Sequence, residues 1–443
     1  MYKAQALLIC ALLVLVCSSL PVSAVLPGQK AIPSRGYISI PDEVPWFSIR
    51  IADFMPVRDT YADMDDSRQA SYFQAALDDL ASASPNEEIT HVQLRLYWTI
   101  DRTSYETMSH PYLGSADPSQ AELMNNWQSW YFGNPTPTTG KSAIQRIREA
   151  GFKLEIGLSV SWIPGAAVNI PPPFSRYARE ADYPGFNGSL FVDNYWNNCL
   201  KPIAEAARDS GLLEAGDVFF IGFENYYAEC DHPRLHSTEY MDAIAELRST
   251  LPPSVLISDH ITGWYDDRGL GNDYSEGFLN IAYLAALDLM APSMWNPWLR
   301  TEDLPATAAG IRDAHFRNMR FDAIGTGYNG VPRVPGRDFM NDAQLIYEKW
   351  GTKLIWNSGL RNVYGATTWD APEHGGVPSA EGEAEQAAFW AGRLMALSNQ
   401  TWCAGQDFER YCEPAAFGSY TASWRGRPAE TAIIDGIRAV LGS

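Results

Sequence analysis

From Pro45 onward, short apolar segments alternate with amphipathic segments, and no Pro-, Gly- or Ser-rich linker divides them. The apolar segments have the length of strands, and several are apolar on both faces, as in a parallel sheet covered by helices. This alternation restricts the chain to folds built from repeated strand–helix units. Strands are predicted at 45–54, 91–98, 153–162, 218–221, 254–264, 287–298, 352–359 and, more weakly, between 401 and 423.

The segments between these strands carry apolar residues at helical spacing. Eight alternations in one uninterrupted domain predict a single (β/α)8 barrel over residues 25–443, with long loops 101–140 and 164–184 at the carboxyl ends of the strands. A doubly wound open sheet is the alternative, but the sequence has no glycine-rich phosphate turn to favour it. Helices are predicted at 68–83, 142–150, 194–210, 238–251, 343–350 and 381–398.

The first 24 residues have the pattern of a secretory signal. Lys3 precedes an uncharged apolar run over 4–20, and the small residues Val22 and Ala24 fit cleavage after Ala24. A membrane anchor is the alternative, although the run is barely long enough to span a bilayer. We therefore expect residues 1–24 to be removed and the remaining chain to be secreted as a monomer.

The formal net charge of −20 and the lack of basic clusters argue against nucleic acids and anionic membranes as partners. Of the six cysteines, four remain after the signal is removed. In an oxidising compartment, Cys403–Cys412 and Cys199–Cys230 are the sequence-near pairing, one of the three that four cysteines allow. The sequence shows no CxxC motif and no Cys/His spacing typical of a metal site, so it predicts neither a metal nor a cofactor.

The segment 217–230, DVFFIGFENYYAEC, predicts a candidate catalytic carboxylate. Its apolar start is typical of a buried strand, Gly222 permits a tight turn, and Glu224 follows just past the strand. Carboxylates at the carboxyl ends of the strands carry the chemistry of (β/α)8 enzymes. The commoner alternative for a single glutamate is an ion pair with a neighbouring arginine.

Aromatic residues stand at the ends of several predicted strands, where the face of a barrel is open to solvent. Flat rings at such positions stack on the apolar C–H faces of sugars, so the pattern predicts a carbohydrate cleft. Arg95 either holds a carboxylate in the barrel mouth or forms a core salt bridge, and Trp356 is interpreted as a core residue. The predicted sugar-binding residues are Trp98, Trp162, Tyr226, Trp264, Trp295, Trp298 and Arg95.

Several short motifs follow one another in a recognisable order between Asp217 and the C-terminus. This order resembles the clan-A retaining glycoside hydrolases, and most of all the family 113 β-mannanases. The resemblance implies a (β/α)8 barrel that hydrolyses a β-linked oligo- or polysaccharide. The motifs are IGFEN at 221–225, DLMAPSMW at 288–295, NSGLRNVYGATTW at 357–369, EQA at 385–387 and RGRPAE at 425–430.

The resemblance implies that Glu224 is the general acid/base. This group protonates the departing glycosidic oxygen and then acts as a base toward water. Tyr226, Tyr227 and nearby tryptophans would raise the pKa of this carboxyl by desolvation. The family's nucleophile is a glutamate at the end of the seventh strand, but the matching residue here is Asn357. An amide cannot form the glycosyl–enzyme ester.

Three interpretations of Asn357 stay open. The protein binds sugar without hydrolysing it, or another carboxylate serves in an inverting mechanism, or Asn357 orients a substrate acetamido group that attacks instead. Asp370 and Glu373 are candidates for the second carboxylate, with solvated loop charges as the alternative. Asp259, followed by His260, is a further candidate, with the orientation of a neighbouring side chain as its alternative.

Overall fold

The computed structural model describes most of the predicted strands and helices of the chain. Its side chains are undescribed at 66–72, 96–100, 107–109, 158–162, 198–199, 339 and 341–342, where only the backbone is discussed. The described residues are 44–54, 66–100, 107–109, 132, 141–162, 193, 196–222, 237–261, 281–292, 299, 301–316, 339–368, 377–411 and 423–442.

Eight parallel strands form a closed barrel, as predicted. The last strand pairs with the first, and the first pairs with the second, so the described barrel has no open edge. A short additional strand pairs antiparallel with the second strand of the chain, beside the ring. The strands are β1 (Ile49–Asp53), β2 (His91–Ile100), β3 (Thr107–Ser109), β4 (Lys153–Trp162), β5 (Val218–Phe220), β6 (Leu256–Ile261), β7 (Leu289–Pro292), β8 (Lys353–Ser358) and β9 (Cys403–Phe408).

Helices follow the strands along the chain. Single turns of other helix types lie at Trp196–Leu200, Ala282–Ala286 and Thr301–Asp303. Among the helices that the structure describes, none combines the length and the apolar character needed to cross a bilayer. The α-helices are α1 (Asp66–Ala83), α2 (Ala143–Glu149), α3 (Lys201–Ser210), α4 (Ser237–Thr250), α5 (Ala308–Phe316), α6 (Phe339–Trp350), α7 (Ala380–Leu397) and α8 (Pro428–Leu441).

The strand bounds agree with the prediction to different degrees. β4 covers the predicted residues 153–162, whereas β7 begins at Leu289, two residues after the predicted start at 287. The remainder of that predicted strand, 293–298, lies outside the described residues. The structure also adds α5 and α8 to the predicted helices.

The core has two parts. The larger lies between the strands and the surrounding helices and includes Trp356, which is 1% exposed and packs against Trp402 at a ring-centroid distance of 5.6 Å. The interpretation of Trp356 as a core residue is therefore confirmed. The smaller part, here called the apolar floor, fills the barrel interior with Ile49, Ile51, Val218, Leu256, Leu289, Ala291, Ile355 and Ala404.

The predicted Cys403–Cys412 disulfide is wrong. Cys403 is a free, fully buried thiol whose Sγ lies 3.5 Å from the carbonyl oxygen of Gly405. A thiol that is free in the structure takes part in none of the pairings that the four cysteines allow. The predicted Cys199–Cys230 pair lies outside the described side chains.

Candidate active site

The barrel interior becomes polar toward the carboxyl ends of its strands. Along β1, for example, Ile49 and Ile51 belong to the apolar floor, and Asp53 is the next inward-facing residue. The inward polar residues are at most 2% exposed. This polar cluster consists of Asp53, Gln93, Arg95, Glu155, His260, Asn357, Asp407 and Glu409.

Arg95 organises one side of the polar cluster. Its guanidinium forms a buried ion pair with Asp53, and Glu409 Oε1 lies 3.7 Å from Nη2. Its Nε also donates a hydrogen bond of 2.5 Å to Oε1 of Gln93. Arg95 therefore forms a buried ion pair inside the barrel, which fits both of its interpretations, and its contact with a sugar stays a prediction.

Gln93 connects this side to the centre of the polar cluster. Its Nε2 donates to Oε2 of Glu155 at 2.5 Å and to Oδ2 of Asp407 at 3.0 Å. The other oxygen of Glu155 lies 2.9 Å from Nε2 of His260. Two carboxylates, one amide and one imidazole thus meet in the barrel interior, although they come from four different strands.

Asn357 lies in β8, the seventh strand of the closed barrel, next to its last residue. Asp407 on β9 is the register partner of Asn357. The Nδ2 of Asn357 lies 3.1 Å from Nδ1 of His260. Its Oδ1 is buried and has no hydrogen-bond partner in the part of the chain that the structure describes. Asn357 therefore lies at the end of the seventh barrel strand, and its match to the family's nucleophile stays a prediction.

Burial perturbs the carboxyl groups of the polar cluster. Desolvation, reinforced by the negative charges of Glu155 and Asp53, raises the pKa of Asp407 well above its usual range. Desolvation also raises the pKa of Asp53 to about 6, against the opposing effect of Arg95. Raised carboxyl pKa values of this kind are typical of functional sites, and also of buried ionic networks.

Asp259 does not join the polar cluster. Ile257 and Ile261 on the same strand pack into the core between strands and helices, and Asp259 shares their side of β6. Its Oδ2 accepts a hydrogen bond of 2.7 Å from the hydroxyl of Tyr283. His260, the next residue, faces the interior instead. The structure therefore separates the two members of the predicted Asp259–His260 pair.

Most of the other predicted site residues lie outside the described part of the chain. Trp98 and Trp162 are described in backbone only, near the ends of β2 and β4, which pair in parallel register. Their contact with sugar stays a prediction. The undescribed candidates are Glu224, Tyr226, Trp264, Trp295, Trp298, Asp370 and Glu373.

Sequence reasoning did not single out five members of the polar cluster: Asp53, Gln93, Glu155, Asp407 and Glu409. A signal for them exists, because polar residues at alternate positions interrupt otherwise apolar strands. In HVQLRLYW, for instance, His91, Gln93 and Arg95 alternate with Val92 and Leu94. Such alternation indicates that one face of the strand contacts polar groups.

No protein-family model and no curated protein sequence matches this chain. Among solved structures, the chain is similar to a GH113 β-1,4-mannanase, at 15% identity and a TM-score of 0.53, over 89% of this chain and 99% of that one. This likeness shows the (β/α)8 fold that the sequence resemblance implied.

Two other solved structures are less similar to the chain. The endo-1,4-β-mannanase from Rhizomucor miehei is 10% identical, with a TM-score of 0.46 over 90% of this chain and 95% of that one. A fungal β-1,4-galactanase is 12% identical, with a TM-score of 0.45 over 81% and 90% of the two chains.

Proposed function

We propose that this protein is a secreted glycoside hydrolase that degrades a β-linked oligo- or polysaccharide at the carboxyl ends of its barrel strands. The observation that carries the proposal is the polarity of the barrel interior. An apolar floor fills one part, and the polar cluster lies toward the strand ends, where (β/α)8 enzymes bind their substrates. Sugar hydroxyls require polar partners of this kind, and the predicted aromatic residues would supply the stacking surface.

Glu224 is the proposed general acid/base. It follows Gly222 by two residues, and the carbonyl of Gly222 accepts a hydrogen bond of 3.0 Å from the N–H of His260 at the end of β6. The backbone just before Glu224 is thus fixed to a neighbouring barrel strand. The similarity in fold to a family 113 β-mannanase supports the same role, since that family uses the glutamate after its fourth strand.

Asn357 decides between mechanisms. It occupies the strand end at which the family carries its nucleophile, and an amide cannot form a covalent glycosyl ester. We therefore propose hydrolysis without a glycosyl–enzyme ester, either by inversion or by attack of a substrate acetamido group. Inversion needs a base about 6.5–9.5 Å from the acid. Asp370 and Glu373 remain the proposed candidates for that base.

A non-catalytic carbohydrate-binding protein is the second candidate function. The observation that favours it is the state of Asn357, which is fully buried and contacts His260 where a retaining enzyme would present a carboxylate. In this case the aromatic and polar residues at the strand ends bind the sugar, and no glycosidic bond is hydrolysed.

The deciding experiment measures product release from a panel of β-linked oligosaccharides, N-acetylated ones included. The secreted protein is compared with Glu224→Gln and with Glu214→Gln, a matched change of an exposed glutamate before β5. We expect hydrolysis to disappear in Glu224→Gln, with sugar affinity nearly unchanged, and to persist in Glu214→Gln. NMR of the first product then assigns its anomeric form.

Each outcome has a definite meaning. Loss of turnover in Glu224→Gln alone supports the glycosidase, and an inverted anomer shows that a water replaces the missing nucleophile. Equal turnover in Glu224→Gln rejects the acid/base assignment. Sugar binding without any release by the wild-type protein selects the binding protein. Recovery of the protein from the culture medium, cleaved after Ala24, tests the proposed secretion.

A further inference from the structure

Three side chains of the polar cluster are placed as metal ligands. Glu155, His260 and Asp407 each direct one ligand atom into a common space, and these atoms lie within 4.8 Å of one another. All three residues are fully buried. Carboxylate oxygens together with an imidazole nitrogen are typical ligands of divalent first-row metal ions such as Zn²⁺ and Mn²⁺.

The distances fit a single ion. Nε2 of His260 and Oε1 of Glu155 are 2.9 Å apart, close to the separation of about 3.0 Å between two ligand atoms that each lie about 2.1 Å from one metal at a right angle. The remaining ligand atom, an oxygen of Asp407, lies within 4.8 Å of both.

The charge of the polar cluster favours a cation. Asp53, Glu155, Asp407 and Glu409 supply four carboxylates. The guanidinium of Arg95 pairs with Asp53, and that of Arg410 lies 3.8 Å from Glu409. With the four carboxyl groups ionised and His260 neutral, the carboxylates therefore exceed the two guanidinium groups by two negative charges. A buried charge needs a compensating partner, so the excess must be offset by bound protons or by a cation.

One buried oxygen atom of the polar cluster points independently to a ligand. Oδ1 of Asp407 has no hydrogen-bond partner among the described residues, and the same holds for Oδ1 of Asn357. The other oxygen of Asp407 accepts a hydrogen bond from Gln93. Asp407 thus keeps one oxygen available for a metal, while its orientation is fixed by the second.

The amide of Asn357 accounts for the other unpartnered oxygen. Its Nδ2 faces Nδ1 of His260 at 3.1 Å, and rotating the amide by 180° exchanges this nitrogen for Oδ1. The oxygen would then accept a hydrogen bond from Nδ1–H, which leaves Nε2 of the ring unprotonated. An unprotonated Nε2 is the form that binds a metal, and a bond of this kind commonly fixes the tautomer of a histidine ligand.

We propose that Glu155, His260 and Asp407 bind one divalent transition-metal ion, with Asn357 holding the His260 ring in the ligating tautomer. This site goes beyond the proposed hydrolytic function and does not rest on it. It also gives Asn357 a specific role at a strand end where an amide cannot serve as a nucleophile.

The test uses the full secreted chain, stripped with EDTA and then titrated with ZnCl₂ or MnCl₂ by calorimetry. Mass spectrometry of the dialysed protein measures the metal content. We expect one ion per chain and a rise in Tm of about 5 °C or more at saturation. The Zn²⁺ X-ray absorption spectrum should show an imidazole and oxygen ligands at about 2.0–2.1 Å.

Variants locate the site. His260→Gln should weaken Zn²⁺ binding at least 10-fold, and Asn357→Leu by about 10- to 100-fold, whereas Asn357→Asp should retain affinity because it keeps the acceptor oxygen. Asp259→Asn is the matched control, since it changes a buried carboxylate on the outer face of the same strand. Its affinity should equal that of the wild-type protein.

Wild-type protein that binds neither Zn²⁺ nor Mn²⁺ would overturn the proposal. Bound protons would then offset the excess negative charge of the polar cluster. Equal Zn²⁺ affinity in a folded His260→Gln variant would overturn it as well. A sulfur ligand at about 2.3 Å in the wild-type spectrum would place the ion on a cysteine and have the same consequence. If His260→Gln fails to fold, the wild-type spectrum decides.

Discussion

The hydroxyl of Tyr283 donates a hydrogen bond of 2.7 Å to Oδ2 of Asp259 on the outer face of β6. The next residue, His260, contacts Glu155 in the barrel interior. Asp259 and His260 are neighbours in sequence but belong to two separate layers, because successive side chains of a strand point to opposite faces. This relationship favours a stabilising role for Asp259 through Tyr283.

Tyr283→Phe should lower the free energy of unfolding by about 1–2 kcal/mol, since it removes a buried hydrogen bond to a carboxylate. Guanidinium denaturation followed by tryptophan fluorescence measures this change. Tyr364→Phe, at a tyrosine that is 50% exposed, is the control and should have little effect. An unchanged denaturation midpoint in Tyr283→Phe would contradict the stabilising role.

Arg95→Met should destabilise the protein by about 3–5 kcal/mol, because it removes the cation that pairs with the buried carboxylate of Asp53. The double variant Arg95→Met/Asp53→Leu should recover part of that loss. Chemical denaturation of both variants measures the difference. Lys141→Met removes one partner of an exposed ion pair with Glu149 and should change stability little. A similarly small effect of Arg95→Met would show that the buried pair contributes nothing.

His315 should make the protein less stable as the pH falls below about 6.5. Burial, with a smaller effect of Arg393, lowers the pKa of His315 to about 3 in the folded protein, while the unfolded value is about 6.5. The unfolded chain therefore takes up a proton between these values when the folded chain does not. Stability is lost on acidification at up to about 1.4 kcal/mol per pH unit.

The measurement compares wild-type protein with His315→Gln at pH 7 and pH 5. The difference between the two proteins isolates His315 from other groups, such as Asp53, whose raised pKa gives a slope of opposite sign between about pH 4 and pH 6. The wild-type protein should lose more stability than the variant over this interval. Parallel pH profiles would refute the prediction.

Gly157→Ala should destabilise the barrel by about 3 kcal/mol or more, or abolish soluble expression. A Cβ atom there would lie 2.1 Å from the carbonyl oxygen of Phe220 and 2.4 Å from its ring. Gly310→Ala is the matched control, because its Cβ would meet only the Thr307 hydroxyl, at 3.1 Å. Since alanine favours helices, Gly310→Ala should be neutral or slightly stabilising. Equal stability of both variants would show that β4 can move away from β5.

The fold could be predicted from the sequence because its determinants are local. Apolar runs identify strands buried on both faces, and the helical spacing between them fixes their order. β4 has the predicted bounds, and Asn357 lies at the end of the seventh barrel strand, as expected.

Local pattern failed for Cys403 and left the role of Asp259 open. Nearness in sequence favoured a Cys403–Cys412 bond, but Cys403 is a free thiol. For Asp259, a strand buried on both faces does not reveal which side chains point inward. Only the packing of Ile257 and Ile261 against the helices assigns Asp259 to the outer face.

The sequence by itself determined the barrel, the order of its strands and the candidates Glu224 and Asn357. The tertiary structure alone decided which polar residues meet inside. Glu155 and His260 are 105 residues apart, and Gln93 and Asp407 are 314 apart, yet each pair forms a hydrogen bond. The physical reason is closure: β9 pairs with β1, so the curvature and register of the ring bring side chains from opposite ends of the chain together.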